Sequence, residues 1–107
     1  MYSSLHNHTM YSLLDGYGTP KEMLEQCRKV GIKAYAVTEH CNQYSWIYFD
    51  QLSKEYPDIK LIYGVELYEC FDTAIKDKNN KYFHFIALAK NENGRKALNK
   101  IITKSNL

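Results

Sequence analysis

The segment Ile32 to Thr38, I-K-A-Y-A-V-T, carries no charge after Lys33 and follows directly on a helix signature. An uncharged apolar run of this kind suits a strand covered on both faces, which points to an α/β fold with helices packed over a sheet. The preceding helix is marked at both ends. Thr19 fits an N-cap, Pro20 the first helical position and Glu22 the capping box, while Gly31 fits the C-cap. Met23, Leu24, Cys27 and Val30 are spaced for one apolar face.

The remaining segments repeat this alternation. Ser3 to His8 reads as a first strand, followed by a loop from Thr9 to Thr19. Asn42 to Tyr56 reads as a second helix stopped by Pro57, with Ile47, Leu52 and one of Trp46, Tyr48 or Phe49 turned inward. Ile59 to Leu67 is a third strand, in which Gly64 permits close backbone approach. Residues 70 to 81 are polar and form a surface connection to a fourth strand, Tyr82 to Ala89. Asn91 then caps a last helix whose inner face holds Leu98, Ile101 and Ile102. Parallel pairing with right-handed crossovers is expected wherever a helix intervenes.

Each of the first three strands ends in residues with ligand chemistry. His6 and His8 share a face if their segment is extended, His40 follows the second strand, and Glu66 lies near the end of the third. In parallel α/β folds functional side chains gather beyond the strands' C-terminal ends, and imidazole with carboxylate suits zinc, manganese or iron. A metal cluster so placed activates water and clamps a transferring phosphoryl group, which implies phosphate-ester hydrolysis. Asp15, between Leu14 and Gly16, either joins this set or caps a turn; His84 either joins it or is a core imidazole. Glu39 reads as a neighbour that supports the ligands or as an ordinary hydrogen-bonded acid, and the Tyr11 and Ser12 hydroxyls fit turn packing equally well.

Length and charge bound the classes that remain. With 107 residues the chain carries one modest core and is short for a complete α/β barrel of roughly 250 residues. A net charge of +2 gives little electrostatic reason to expect a nucleic-acid footprint, and the Lys90, Arg95, Lys96, Lys100 and Lys104 series reads as a solvated helix face interrupted by Glu92. Cys27, Cys41 and Cys70 are odd in number and lack ligand spacing, which fits free thiols in a reducing, cytoplasmic setting. No basic-then-apolar leader and no run of membrane-spanning length is present, so no membrane partner is expected.

Four blocks carry a specific resemblance: H-N-H-T-M-Y-S-L-L-D-G, A-V-T-E-H, I-Y-G-V-E-L-Y and H-F-I-A-L-A-K-N-E-N-G. In this order they resemble the PHP domain, the polymerase and histidinol phosphatase superfamily, and K-N-E-N-G favours the branch at the amino terminus of bacterial DNA polymerase III alpha subunits. The resemblance implies a distorted (βα)7 barrel with divalent metal ions, zinc or manganese, in its cleft. Carried over position by position, it implies His6 and His8 as the first ligands, then Asp15, His40, a bridging Glu66 and His84, with Glu39 beside them where the family usually has aspartate. The family's later ligands have no counterpart after His84, so the expectation is a partial (βα)7 barrel of parallel strands with flanking helices, residues 1–107 forming one incomplete PHP domain. Either a shortened segment or a short encoded protein would fit.

The implied setting is DNA replication, with DNA and other replicase parts as partners of the full-length parent and a homo-oligomer as a state of the segment alone. Polymerisation itself is not expected of 107 residues. A metal-dependent phosphoesterase or 3′ to 5′ exonuclease, and a non-catalytic assembly module, are the alternatives.

Overall fold

The computed structural model describes residues 2–75 and 77–107. Its elements run α1 (Pro20–Val30), β1 (Ala34–Val37), α2 (Trp46–Leu52), β2 (Lys60–Cys70), β3 (Tyr82–Leu88) and α3 (Glu92–Ser105). The three strands form a sheet in the order β1-β2-β3. β1 pairs parallel with β2 through the α2 crossover, from Ala34 opposite Lys60 to Val37 opposite Tyr63.

β3 departs from the all-parallel expectation. It returns antiparallel along β2, from Gly64 opposite Leu88 to Cys70 opposite Tyr82. Among the described residues no helix intervenes between these strands, so the polar connection acts as a hairpin loop and the sheet is mixed. The described residues make a small α/β domain, and no closed barrel is formed among them.

The expected first strand is reduced to one parallel bridge, Ser4 opposite Tyr35. Side chains replace the rest of the ladder. Asn7 Nδ2 donates to Ala36 O at 2.8 Å and to Ser4 O at 3.1 Å, while Thr38 Oγ1 accepts from Asn7 N at 2.7 Å. Residues 4–8 still run beside β1, with Ala36 N and Thr38 N donating to Ser4 O and Asn7 O.

α1 has both halves of its capping box: Thr19 Oγ1 accepts from Glu22 N, and Glu22 Oε2 accepts from Thr19 N at 2.7 Å. Gly31 closes it in the left-handed conformation, φ 79°. Leu24 and Cys27 are buried, whereas Val30, in the last turn, is exposed. α2 is shorter than the 42–56 periodicity suggests. Asn42 is held out of the helix by bonds from Nδ2 to Tyr11 O and His40 O, and its Oδ1 accepts from Tyr44 N. Trp46 and Phe49 turn inward and Ile47 outward. In α3, Leu98 is buried and Ile102 packs on the core four residues on, but Ile101 is turned to solvent.

The core joins Leu24 and Cys27 of α1, Tyr35 and Val37 of β1, Trp46 and Phe49 of α2, Val65 of β2 and Leu98 of α3. Fully buried Leu24 and Phe49 each contribute roughly 1.5–3 kcal/mol relative to exposure. Gly64 is the close approach its position suggests, since a Cβ there would lie 2.6 Å from Ala87 O. Among the described residues no helix is long and apolar enough to cross a membrane.

Candidate metal centre

The site begins where the β1–β2 ladder outlasts β1. Glu66 N donates to Glu39 O at 3.0 Å and Cys41 N to Glu66 O at 2.8 Å, which sets His40 beside Glu66 as an isolated parallel bridge. Cys41 accepts a left-handed φ of 49° as the chain turns away. Residues 4–8 bring His6 and His8 to the same end of the sheet. His84 arrives from β3, where it pairs with Tyr68, two residues beyond Glu66 on the same face. Its place early in β3 is explained by strand direction: the start of an antiparallel β3 lies beside the end of β2.

Asp15 is delivered by a folded loop. Met10 N donates to Gly18 O, Ser12 N to Thr9 O, and both Asp15 N and Gly16 N to Ser12 O. Leu14 adopts φ 67° in this turn. Gly16 is required by close contact, because a Cβ there would lie 1.8 Å from Thr9 O.

All six residues expected to act as ligands converge. Glu66 Oε2 lies 2.5 Å from His6 Nε2 and 2.9 Å from His8 Nε2, and these two imidazole nitrogens are 3.0 Å apart. Glu66 Oε1 meets His84 Nδ1 and lies 3.6 Å from His40 Nδ1. Asp15 Oδ2 is 2.7 Å from His40 Nε2 and 3.6 Å from His8 Nε2. The His8 and His40 rings stack at 4.2 Å, tilted by 7°. Two donor triplets result, His6–His8–Glu66 and His8–Asp15–His40, each with its ligand atoms within 4.8 Å of one another.

Glu66 is fully buried, and its Oε1 makes no geometrically sound hydrogen bond among the described residues although His84 Nδ1 is packed directly against it. Burial is the strongest influence on its carboxyl and opposes the charge. The hydrogen bond from His6 and the nearby His40, His6 and His8 outweigh it, so the carboxyl sits below the usual glutamate range. Burial, followed by His40, pushes the His8 imidazole down and favours the neutral ring a metal needs. The bond to His40 holds Asp15 below the usual aspartate range. A buried, charged carboxylate with an unsatisfied oxygen, surrounded by imidazole nitrogens, fits a divalent cation in donor type and approach.

Glu39 does not face this cluster. It is fully buried, and its carboxylate accepts from Thr9 N, Thr9 Oγ1, Ser12 Oγ and Ser45 Oγ. Ser45 stands at the N-cap of α2 yet makes no capping bond, its hydroxyl being committed to Glu39. Residue type and spacing did not single out Ser45 or Tyr68. Tyr68 stacks on His40 at 6.3 Å and places its hydroxyl 3.3 Å from His40 Nδ1; the i, i+2 spacing from Glu66 was the available signal. A cavity of about 670 Å³, lined by Lys60, Tyr63, Leu88, Lys90 and Arg95 among others, lies at the opposite end of β2 and contains none of these donors.

Fold and cluster together define an α/β domain with a donor set for a divalent cation at its strand ends. The chain belongs to the PHP domain family, whose model matches residues 4–107. It is 34% identical over 105 residues to the DNA polymerase III subunit alpha of Treponema pallidum, covering 94% of this chain and 9% of that protein. The corresponding subunit of Helicobacter pylori is 37% identical over 95 residues, 87% of this chain and 8% of that protein. An error-prone DNA polymerase of Mycobacterium tuberculosis is 29% identical over 106 residues, 99% of this chain and 10% of that protein. The chain thus spans about a tenth of the curated relatives' length. Among solved structures, a protein from Bifidobacterium adolescentis described as a candidate metal-dependent phosphoesterase superposes with a TM-score of 0.63 at 26% identity, over 92% of this chain and 32% of that one.

Proposed function

We propose that the chain is the metal-binding part of a PHP domain in a DNA polymerase III alpha subunit, working in DNA replication. In this reading residues 1–107 supply one section of the domain, in keeping with their 32% share of the structural neighbour. His6, His8, Asp15, His40, Glu66 and His84 hold zinc or manganese, and DNA and the remaining replicase parts are the partners of the parent protein. The observation that carries the reading is Glu66, a buried carboxylate with imidazole nitrogens against both oxygens.

A divalent ion held there would supply Lewis acidity and activate water for phosphodiester hydrolysis. The chain's own residues prepare the site. Glu66 and Asp15 provide the negative charge that offsets the ion, the stacked His8 and His40 rings fix two nitrogens relative to each other, and Tyr68 places a hydroxyl at the rim where a phosphate oxygen could accept its proton. The likeness to a candidate metal-dependent phosphoesterase favours a second reading, hydrolysis by this unit without a polymerase.

The test is calorimetric titration of the chelator-treated chain with zinc and with manganese, followed by assays on bis(p-nitrophenyl) phosphate and on 3′-labelled single-stranded DNA. Binding that Glu66→Gln abolishes in a folded protein is the expected result. A folded wild-type chain that takes up neither ion overturns the metal site, and metal-dependent turnover of the small diester by the isolated chain selects the second reading.

A further inference from the structure

The Ser12 hydroxyl is fully enclosed and touches three groups that the metal-site reading leaves separate. Its oxygen lies 2.5 Å from Glu39 Oε2, 3.1 Å from His40 N and 3.2 Å from His8 Nδ1. A hydroxyl has one proton to give and two lone pairs to fill, so these three contacts fix one another.

Glu39 sets the direction of the Ser12 bond. Four donors converge on its two oxygens: Thr9 N and Ser12 Oγ on Oε2, Thr9 Oγ1 and Ser45 Oγ on Oε1. A carboxylate oxygen can only accept, so in the 2.5 Å contact the Ser12 proton points at Glu39. The oxygen is left to accept. The His40 backbone N–H supplies one donor, and the other contact is satisfied only if His8 Nδ1 carries a proton. In a neutral imidazole with its proton on Nδ1, Nε2 has a lone pair, and Nε2 is the atom that faces Glu66, His6 and Asp15.

We infer that Ser12 is a positioning residue that, held by Glu39, fixes the His8 ring in the Nδ1–H tautomer and so presents the Nε2 lone pair to the cation. The inference rests on the metal-site reading for its purpose, but not for its geometry. The same oxygen ties down the His40 backbone, so one buried hydroxyl sets both members of the stacked His8–His40 pair. A histidine ligand whose distal N–H is anchored loses little freedom on coordination, and removing such an anchor weakens metal affinity about 10- to 100-fold.

Long-range ¹⁵N–¹H correlation spectra of the metal-free chain read the His8 tautomer directly, and zinc titration reads its consequence. The wild type is expected to show protonated Nδ1 and bare Nε2. Ser12→Ala is expected to shift His8 towards the Nε2–H form and to bind zinc about 10- to 100-fold more weakly, with Ser12→Thr restoring both. A wild-type His8 protonated on Nε2 overturns the inference even if Ser12→Ala fails to fold. So does a folded Ser12→Ala chain with unchanged tautomer and affinity. A wild-type chain that shows the Nδ1–H form but binds no zinc defeats the metal-site reading while upholding the geometry of the relay.

Discussion

Glu66 Oε2 lies 2.9 Å from His8 Nε2 at the floor of the cluster, and the lone pair that His8 presents there has no proton to share with the carboxylate. Two acceptors facing each other at that separation are relieved by a cation between them. Glu66→Gln keeps the shape of the side chain and removes the charge. For the wild type, zinc or manganese at 100 times its Kd should add about 2.7 kcal/mol of stability. At about 4–8 °C per kcal/mol this raises Tm by roughly 10–20 °C. The Gln variant should lose most of that increment in a thermal melt, and an equal rise in both proteins would reject Glu66 as a ligand.

Asp15 depends on Gly16 for its position. With Thr9 O only 1.8 Å from where a Cβ would stand, Gly16→Ala forces the loop away from Thr9, which is itself bonded to Glu39. Overpacking of this kind costs about 1–3 kcal/mol. It should also move Asp15 off His40, so metal affinity falls together with stability. Calorimetry and a denaturant melt on the same protein separate the two effects; a variant with full stability and full affinity would show that the loop yields without consequence.

How much of this was legible beforehand follows from which interactions are local. The cap residues of α1 are a local pattern, and Thr19, Glu22 and Gly31 do what their identities suggest. His6, His8, His40 and Glu66 fall at strand ends, a position that periodicity reveals, and all four converge. The direction of β3 is non-local, since its apolar run is compatible with either pairing, and that direction is what brings His84 in. The length of α2 was hidden for a related reason. Asn42 and Ser45 could have served the helix, but they bond to Tyr11, His40 and Glu39, partners two to 31 residues away that no helical pattern encodes. Ser12 was visible as a hydroxyl near the site that fitted turn packing equally well; its meaning lies in three contacts made by the folded chain.

The α1 cap gives a prediction independent of the metal. Thr19 Oγ1 accepts from Glu22 N and Thr19 N donates to Glu22 Oε2 in return, and the helix it starts buries Leu24 and Cys27. Thr19→Ala should cost roughly 1 kcal/mol. In a chain of this size that lowers Tm by about 4–8 °C. Zinc affinity should be unchanged, because none of the cluster's donors lies on α1; a matched loss of affinity would mean that the helix and the site are coupled.

Tyr35 places its hydroxyl in the core with no hydrogen-bond partner among the described residues. Burial, followed by Cys27 and Glu39, pushes its ionisation above the ordinary tyrosine range, and burial also pushes Tyr63 up to about 12. A raised folded-state pKa on an acid means that the native state holds its proton more tightly than the unfolded chain. The associated stability is complete below the unfolded value of about 10 and is lost as pH rises towards the folded value. Tyr35→Phe removes an unsatisfied polar atom while keeping the ring that stacks on Phe49 at 5.4 Å. It should stabilise the chain at neutral pH by about 1 kcal/mol. It should also flatten the decline in stability above pH of about 10, leaving the part due to Tyr63 and to the other groups whose ionisation burial raises, Cys27 and Cys41 among them. Urea melts at neutral and alkaline pH measure both effects, and a variant less stable than wild type at neutral pH would show that the hydroxyl is satisfied in solution.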